Sequence, residues 1–312
     1  MEKGNETSTT DFILLGLFPE FKYSGLLVSI IVSVYLIAFT GNSILILLIW
    51  VDSRLHTPMY FLLSQLSIID VAYISSSVPK MAINYYLGKQ NISRIGCGTQ
   101  MFFCLTLGVS ECILLTFMSY DRYVAICKPL HYPIIMGPRI CLHMTLASWV
   151  GGALNAVIQT IYTMHFPVCG SREIHHFFCE MPAILKLSCE DTLDYEMGVF
   201  VVSTVFIILP LSLIVTSYTL IFLTILNMNS PEGRNKALAT CSSHLTVVSL
   251  FLGPAIVIYM TPGSSHTPEL NQGLSLFYTI LTPMLNPLIY SLRNKDVLEA
   301  LRKTMRNNLI SK

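Results

Sequence analysis

Seven long apolar runs constrain this chain more than any other feature of its sequence. Each run is long enough to cross roughly 30 Å of hydrocarbon as a helix. Backbone N–H and C=O groups cannot stay unpaired in lipid, so such runs must be helical there. They lie near Ser24–Trp50, Pro58–Val78, Cys97–Tyr120, Ile140–Phe166, Met197–Leu226, Leu238–Met260 and Gln272–Leu292. The sequence therefore predicts an all-α membrane protein built as a bundle of seven transmembrane helices, in contact with membrane lipid.

The composition agrees with a membrane protein and excludes one class of partner. Hydrophobic residues make up 53% of the chain and charged residues only 12%. The mean hydropathy is +0.62, whereas about a quarter of a soluble domain is charged. A net charge of +1 without a basic patch gives nucleic acid nothing to bind. We expect no nucleic-acid partner.

The spans divide the chain into three parts, and basic residues predict its orientation. We expect an outer tail at 1–23, the transmembrane domain at 24–292, and a cytoplasmic amphipathic helix and tail at 293–312. Basic residues concentrate in cytoplasmic loops, and twelve of the nineteen Lys and Arg fall inside if the amino terminus is outside. These twelve are Arg54, Arg122, Lys128, Arg139, Arg234, Lys236 and the six from Arg293 to Lys312. The polar first residues lack an apolar signal core, so the first span should serve as an uncleaved insertion signal.

The last predicted element is a short helix that lies in the membrane interface. Four apolar residues share one face of it and three basic residues share the other. The apolar set is Val297, Leu298, Leu301 and Met305, and the basic set is Arg302, Lys303 and Arg306.

Four of the nine cysteines fall in or beside segments expected outside, where disulfides persist. These are Cys97, Cys169, Cys179 and Cys189. Four cysteines allow three pairings, and the sequence alone does not choose among them. A zinc site with the neighbouring His175 and His176 is a weaker alternative, because an oxidising exterior favours disulfides. The other five (Cys104, Cys112, Cys127, Cys141, Cys241) are expected to be free thiols.

Two further patterns predict modification and ion binding. Asn5-Glu6-Thr7 is a glycosylation acceptor on the outer tail, and Asn91-Ile92-Ser93 fits the pattern but lies close to the membrane. Asp70 and Glu111 lie midway along the second and third spans, where ionised carboxylates need a cation, a proton or each other. The alternative is two protonated acids bonded to neighbouring backbone.

The string MSYDRYVAICKPLHYP, residues 118–133, places Asp121 and Arg122 at the inner end of the third span. A charged pair there could be a simple interfacial anchor. The whole string, however, closely resembles the signature of olfactory receptors, which are rhodopsin-like, seven-helix receptors coupled to G proteins. PMLNPLIYSLRN and KALATCSSH resemble further motifs of the family, and the resemblance extends over nearly the whole chain.

The resemblance implies a function and a location. It implies a plasma-membrane receptor, neither an enzyme nor dependent on a cofactor. Such a receptor binds a small, mostly apolar volatile odorant and activates a stimulatory heterotrimeric G protein, which raises cyclic AMP. It also implies the disulfides Cys97–Cys179 and Cys169–Cys189. In related receptors the position of Asp70 helps to bind a sodium ion that favours the inactive state, and olfactory receptors tend to carry a glutamate at the position of Glu111.

The resemblance also assigns a switch to the inner ends of the spans. At rest Asp121 holds Arg122, which is freed to meet Tyr218 and the G protein when the sixth span swings outward. Proline removes a helix bond and allows a bend that can change angle in the seventh span. The full switch set is Asp121, Arg122, Tyr123, Tyr218, His244, Asn286, Pro287 and Tyr290. For His244 a pH-sensitive role competes with that of a hydrogen-bonded structural histidine.

Ten positions match the family's ligand pocket in the outer half of the bundle. They are Cys104, Leu105, Gly108, Val109, Val202, Phe206, Ala255, Ile256, Tyr259 and Thr279. The set is apolar with two hydroxyls that could orient a polar group, and core packing is the alternative for each member. We expect Tyr259 to bond a polar group of the ligand; the alternative is a tyrosine that faces lipid at the interface.

Several observations limit the other readings. Cys104 stands where amine receptors carry a carboxylate, and the seventh span holds no lysine of the kind that visual pigments use. The chain departs from the usual Phe-Tyr-Gly of the family at Phe251-Leu252-Gly253, which puts in doubt a trigger built on that tyrosine. A transporter would need two related halves, and an enzyme would need a nucleophile–base set or metal motif. The same receptor fold acting outside the nose stays open.

Overall fold

The computed structural model describes residues 11–18, 21–88, 90–260, 267–292 and 295–310. It is a bundle of membrane-spanning helices, as predicted. Asn5 lies outside the described residues, so its glycosylation stays a prediction.

Within these described ranges, six helices are each long and apolar enough to cross a membrane. Their apolar residues continue around most of each helix, as expected where one side faces lipid and the other faces neighbouring helices. They are α1 (Ser24–Val51), α2 (Pro58–Leu87), α3 (Arg94–Cys127), α5 (Pro138–His165), α7 (Leu193–Leu226) and α8 (Pro231–Tyr259). A single helical turn, α4 (Tyr132–Ile135), lies between α3 and α5.

The seventh span is divided into three parts. It consists of α9 (Pro268–Leu276), a π-helical segment (Phe277–Leu281) and α10 (Thr282–Leu292). A π-helical turn inserts one residue into the helical repeat and rotates the side chains that follow it. The sequence predicted one uninterrupted run here.

Several helices extend beyond their predicted ends. The second span was expected to end at Val78, before Pro79, but α2 continues through this proline to Leu87 and stops at Gly88, whose φ is 63°. Proline is tolerated inside membrane helices because neighbouring groups satisfy the freed backbone. Glycine adopts the left-handed conformation that ends a helix without strain.

After the seventh span, α11 (Lys295–Ile310) is the predicted amphipathic helix. Val297 and Ala300 are buried against the bundle, whereas Arg302 and Lys303 are exposed. The side chain of Met305 lies outside the described residues.

A small three-stranded sheet closes one end of the bundle. Strand β1 (Phe12–Leu14) lies in the middle, antiparallel to β2 (Asn91–Ile92) and parallel to β3 (Glu173–Ile174). A one-turn helix, α6 (Met181–Leu185), follows β3. We call the three strands together with residues 167–192 the lid, and this end of the bundle the lid end. The opposite end, where α3 carries Arg122, is the Arg122 end.

Two disulfides hold the lid in place. Cys97 at the start of α3 is bonded to Cys179, and Cys169 is bonded to Cys189. This is the pairing that the resemblance implies, and the other five cysteines are free. The lid also contacts the seventh span, because Gln272 donates to the His175 carbonyl at 3.0 Å. The same Gln272 side chain accepts from the N–H of Phe18, just after β1, at 2.9 Å.

Candidate functional site

A cavity lies directly beneath the lid, with walls from five spans and the π-helical segment. The centre of a water molecule can occupy about 90 Å³ of it, which is room for several water molecules. That space suits a ligand of comparable size. The lining residues are Tyr73, Met101, Cys104, Leu105, Gly108, Val109, Cys112, Asn155, Gln159, Phe178, Cys179, Glu180, Met181, Ser203, Phe206, Ile207, Phe251, Ala255, Tyr259 and Tyr278.

Seven of the ten predicted pocket residues line this cavity. They are Cys104, Leu105, Gly108, Val109, Phe206, Ala255 and Tyr259. The Tyr259 side chain thus lies on the bundle side of α8 rather than towards lipid. It shares the cavity wall with Glu180 and Tyr278.

The other three predicted residues do not line the cavity. Val202 is 39% exposed, and its neighbour Ser203 lines the cavity instead, because adjacent residues of a helix point about 100° apart. Ile256 packs against the hydrophobic core of the bundle.

Thr279 is the third of these residues. It lies in the π-helical segment, is buried, and donates its hydroxyl to the Ser275 carbonyl at 2.6 Å. Tyr278 takes the lining position.

The roof of the cavity contains a buried carboxylate that the sequence analysis missed. Glu180 follows directly after the disulfide-bonded Cys179 and is only 4% exposed. Its Oε1 accepts from the Tyr278 hydroxyl at 2.8 Å and from the Ser275 hydroxyl at 3.2 Å. Its Oε2 lies 3.1 Å from Nε2 of His176. An acid next to a cysteine of a long outer loop was the available signal, since a disulfide to α3 brings that loop over the bundle.

A second missed feature is an amide pair on α5. Asn155 and Gln159 line the cavity and are both buried. Gln159 donates to Asn155 Oδ1 at 2.9 Å, and its backbone carbonyl accepts from the Tyr195 hydroxyl at 3.0 Å. Two amides four residues apart in an apolar run share one helix face, which is the signal that could have identified them.

In the middle of the bundle, the structure brings Asp70 together with Asn286 rather than leaving Asn286 at the Arg122 end. Asn286 Nδ2 donates to both oxygens of Asp70, at 3.1 and 3.0 Å. Glu111 lies close enough to Asp70 for the two carboxyl groups to interact electrostatically. Both Glu111 oxygens are buried, and within the described residues neither has a hydrogen-bond partner. Such unpaired oxygens fit a bound cation or an added proton.

At the Arg122 end, the predicted lock is present in the structure. Arg122 Nη2 lies 2.6 Å from Asp121 Oδ2. The Tyr132 hydroxyl, from the single-turn α4, donates to Asp121 Oδ1 at 2.7 Å. Burial and the charge of Asp121 raise the pKa of Tyr132. The sequence analysis missed Tyr132, although it belongs to the same string as Arg122.

A larger cavity opens beside this lock. Of the predicted switch residues, Asp121, Arg122, His244 and Tyr290 line it. Tyr218 joins them through its hydroxyl, 2.8 Å from Nδ1 of His244.

The two remaining switch residues lie elsewhere. Tyr123 packs outside this cavity, with its ring 6.2 Å from that of Tyr120 and 5.8 Å from Lys128 Nζ. Pro287 packs beside Gly41 of α1.

Comparisons with known proteins agree with this geometry. A family described as olfactory receptor matches residues 31–308. Olfactory receptor 2T27 of Homo sapiens is 54% identical over 305 residues, covering 98% of this chain and 96% of that protein. Olfactory receptor 2T2 is 55% identical, covering 96% and 92%, and olfactory receptor 2M5 is 50% identical, covering 96% of each; both are also from Homo sapiens.

The chain belongs to the olfactory receptor family. It is a G-protein-coupled odorant receptor and a multi-pass protein of the plasma membrane, and its relatives are not enzymes. Leu252, at which the chain departs from the usual Phe-Tyr-Gly of the family, lies in the core of this receptor. Phe251 lines the ligand-sized cavity, whereas Leu252 is 2% exposed and packs in the core.

Proposed function

We propose that this receptor binds a small, mostly apolar volatile in the cavity beneath the lid. Binding there activates a stimulatory heterotrimeric G protein at the Arg122 end and raises cyclic AMP. The observation that carries the proposal is a largely apolar cavity at the lid end and an arginine lock at the other end of the same helix. Clefts of this kind, with a few convergent polar groups, are the usual form of small-molecule sites.

The proposal assigns the lid end to the outside of the cell. Both disulfides belong to the lid, and disulfides persist in oxidising surroundings. The Arg122 end, with α11 and the carboxyl terminus, then faces the cytosol and the G protein.

Helices α3 and α8 each carry residues at both ends. Helix α3 lines the cavity at Cys104, Leu105 and Gly108 and ends at the Arg122 lock. Helix α8 lines the cavity at Tyr259 and reaches the lock through His244. A ligand that pushes or pulls α8 at the lid end therefore acts on His244 as well. Switching in packed bundles proceeds through such rigid shifts between two arrangements.

Activation replaces one set of polar contacts with another. At rest Asp121 holds Arg122, and Tyr218 is bonded to His244. His244 Nε2 and the Tyr290 hydroxyl are buried without a partner in the described part of the chain. Outward movement of α8 frees Arg122 to meet Tyr218 and the G protein.

A cation or proton site in the middle of the bundle biases the resting state. Asp70 and Glu111 supply carboxylate oxygens, which are the ligands that hard cations prefer. The unpaired oxygens of Glu111 support this assignment. A sodium ion bound there would supply positive charge between two carboxylates that otherwise repel each other.

The expected affinity is low. A volatile with roughly ten heavy atoms, at about 0.3–0.8 kcal/mol each, gains about 3–8 kcal/mol. This corresponds to dissociation constants from around millimolar to micromolar. Recognition in an apolar cavity should therefore be broad.

A screen of odorants tests the proposal. Cells that display the receptor at the surface, with a cyclic-AMP reporter, are exposed to a panel of volatile compounds. We expect a response to a subset of small, mostly apolar members and none in matched cells without the receptor. A receptor that reaches the surface and responds to no member, or that lowers cyclic AMP, contradicts the proposal.

A further inference from the structure

Glu180 is the one charged side chain among the described residues that line the ligand cavity. It is 4% exposed, and the Cys97–Cys179 disulfide holds the adjacent residue against α3. A carboxylate fixed at this place cannot turn into water when a ligand enters. Its chemistry therefore belongs to the ligand site.

The two oxygens of Glu180 are not equally satisfied. Oε1 accepts from the hydroxyls of Tyr278 and Ser275. Oε2 lies 3.1 Å from His176 Nε2, but Nε2 has no hydrogen-bond partner in the described residues. Oε2 can therefore still accept a hydrogen bond from a ligand.

His176 does not neutralise this carboxylate. Burial lowers the pKa of His176, which is 2% exposed and lies against the rings of Phe177 and Phe178. Its Nδ1 accepts from the Phe178 N–H at 3.4 Å, as a neutral imidazole can. An uncharged histidine leaves the negative charge of Glu180 uncompensated at the cavity roof.

The neighbouring tyrosines also affect which hydrogen-bonding groups face a ligand. A tyrosine hydroxyl has a single proton, and Tyr278 directs that proton to Glu180. The Tyr259 side chain lies in the same cavity, near Glu180 and Tyr278. With its proton directed to Glu180, the Tyr278 hydroxyl offers an incoming ligand a lone pair rather than a donor.

We infer that Glu180 makes the receptor selective for ligands that donate a hydrogen bond. An apolar molecule ending in a hydroxyl or a protonated amine should be preferred over the same skeleton ending in an aldehyde, ketone, ester or carboxylate. An acceptor group at this place would face the Glu180 carboxylate, which cannot donate to it, and a buried polar group without a partner is costly. This inference rests on the proposed function, because it names the ligand class of the same cavity.

The first test needs no mutation. The best agonist of the odorant panel defines a carbon skeleton, and its primary alcohol, primary amine, aldehyde and carboxylic acid are compared on the wild-type receptor. A hydrogen bond to a charged group is worth at least about tenfold in affinity. We expect the alcohol or amine to be at least about tenfold more potent than the aldehyde, with the acid weakest. An aldehyde or acid that matches or exceeds both donors overturns the inference.

The second test uses a substitution at Glu180 to change the preference between donor and acceptor ligands. Glu180→Gln keeps the shape of the side chain, removes its charge and supplies an N–H donor. The ratio of alcohol to aldehyde potency should fall by about tenfold or more. Glu173→Gln is the matched control, because Glu173 lies in β3 of the same lid but is exposed; its ratio should stay that of the wild type.

The readout separates recognition from a purely structural role. If Glu180 only ties the lid to the seventh span, Glu180→Gln should weaken all four probes alike and leave the ratio unchanged, which overturns the inference. Surface staining accompanies each variant, and if Glu180→Gln fails to reach the surface, the wild-type series decides. A wild-type receptor with no agonist in the panel counts against the proposed function, whereas agonists without a donor preference count only against the role of Glu180.

Discussion

The two ends of the bundle differ in covalent bracing and in the size of their cavities. At the lid end, two disulfides and a three-stranded sheet cover a cavity of about 90 Å³, and Glu180 is bonded to the seventh span. At the Arg122 end, the cavity measures about 850 Å³ on the same scale. There Cys127 and Cys241 are free thiols rather than disulfides. Among the described residues His244 Nε2 and the Tyr290 hydroxyl are buried without partners, as His176 Nε2 is at the lid end.

This difference suits a receptor. A binding site held in shape before the ligand arrives spends less free energy on ordering, so more remains for affinity. A buried polar group without a partner costs about 1–3 kcal/mol, and a rearrangement that supplies partners recovers part of that cost. We infer that the lid end is built to recognise and the Arg122 end to change shape.

The largest expected effect comes from opening the lid. Cys97→Ser removes the disulfide to Cys179, and loss of such a bond costs typically about 2–4 kcal/mol. We expect surface display and ligand response to be lost together, measured by antibody staining and cyclic AMP. Cys127→Ser, which changes a free cysteine, is the control and should keep surface display.

The two bridges themselves can be checked directly. Mass spectrometry of the non-reduced protein should recover Cys97 linked to Cys179 and Cys169 linked to Cys189. Free thiols at these positions in surface-exposed receptor would contradict the comparison, because no disulfides would then hold the lid.

The next effect concerns signalling alone. Arg122→Ala removes the group that meets the G protein but leaves Asp121 bonded to Tyr132, so the resting fold should survive. We expect the cyclic-AMP response to be abolished while surface expression stays largely intact. Arg139→Ala changes an exposed arginine on the same side of the bundle and should respond normally. An unaltered agonist response in Arg122→Ala would rule out the proposed switch.

A smaller effect is expected in the middle of the bundle. Asp70→Asn and Glu111→Gln should each alter basal activity or its dependence on sodium. Because both carboxylates serve one ion, the double variant should differ from the sum of the single ones. Basal cyclic AMP measured at high and low sodium concentration checks this. Strictly additive effects with no dependence on sodium or pH would leave two protonated, structural acids.

The smallest predicted effect sharpens the account of the cavity. Tyr259→Phe removes one hydroxyl, and a hydroxyl bond contributes about 0.5–1.5 kcal/mol, so an oxygenated agonist should weaken roughly 2- to 12-fold. A hydrocarbon-like agonist should be nearly unaffected in the same dose–response assay. Tyr162→Phe, at a tyrosine that is 59% exposed, is the control. Equal shifts for both agonists, or none, would remove Tyr259 from ligand recognition.

Much of the fold could be predicted because hydropathy reports directly on burial in lipid. The seven spans follow from composition and length alone. Helix ends could not, since α2 continues past Pro79 to Leu87 on contacts that hydropathy does not measure. The apolar pattern also gives no sign of the π-helical segment Phe277–Leu281. In that segment Tyr278, and not the predicted Thr279, lines the cavity.

The site was predicted where one helix sets the geometry and missed where the loop does. Four predicted α3 residues line the cavity, because a regular helix places matching positions on one face. Glu180 was missed because its position depends on a long loop folding back under two disulfides. Asn155 was missed because an amide on an apolar helix is as compatible with helix packing as with a ligand wall.

The most direct test measures ligand binding and signalling in one variant. Purified wild-type and Arg122→Ala receptors are heated with and without the best agonist of the panel, and cyclic AMP is recorded from cells that express each. A ligand at about 100 times its dissociation constant stabilises the folded state by about 2.7 kcal/mol. The account predicts a similar agonist-induced rise in melting temperature for both receptors and a cyclic-AMP response only in the wild type. A variant that loses the thermal shift along with its response, or keeps both, would contradict a division between a recognising lid end and a switching Arg122 end.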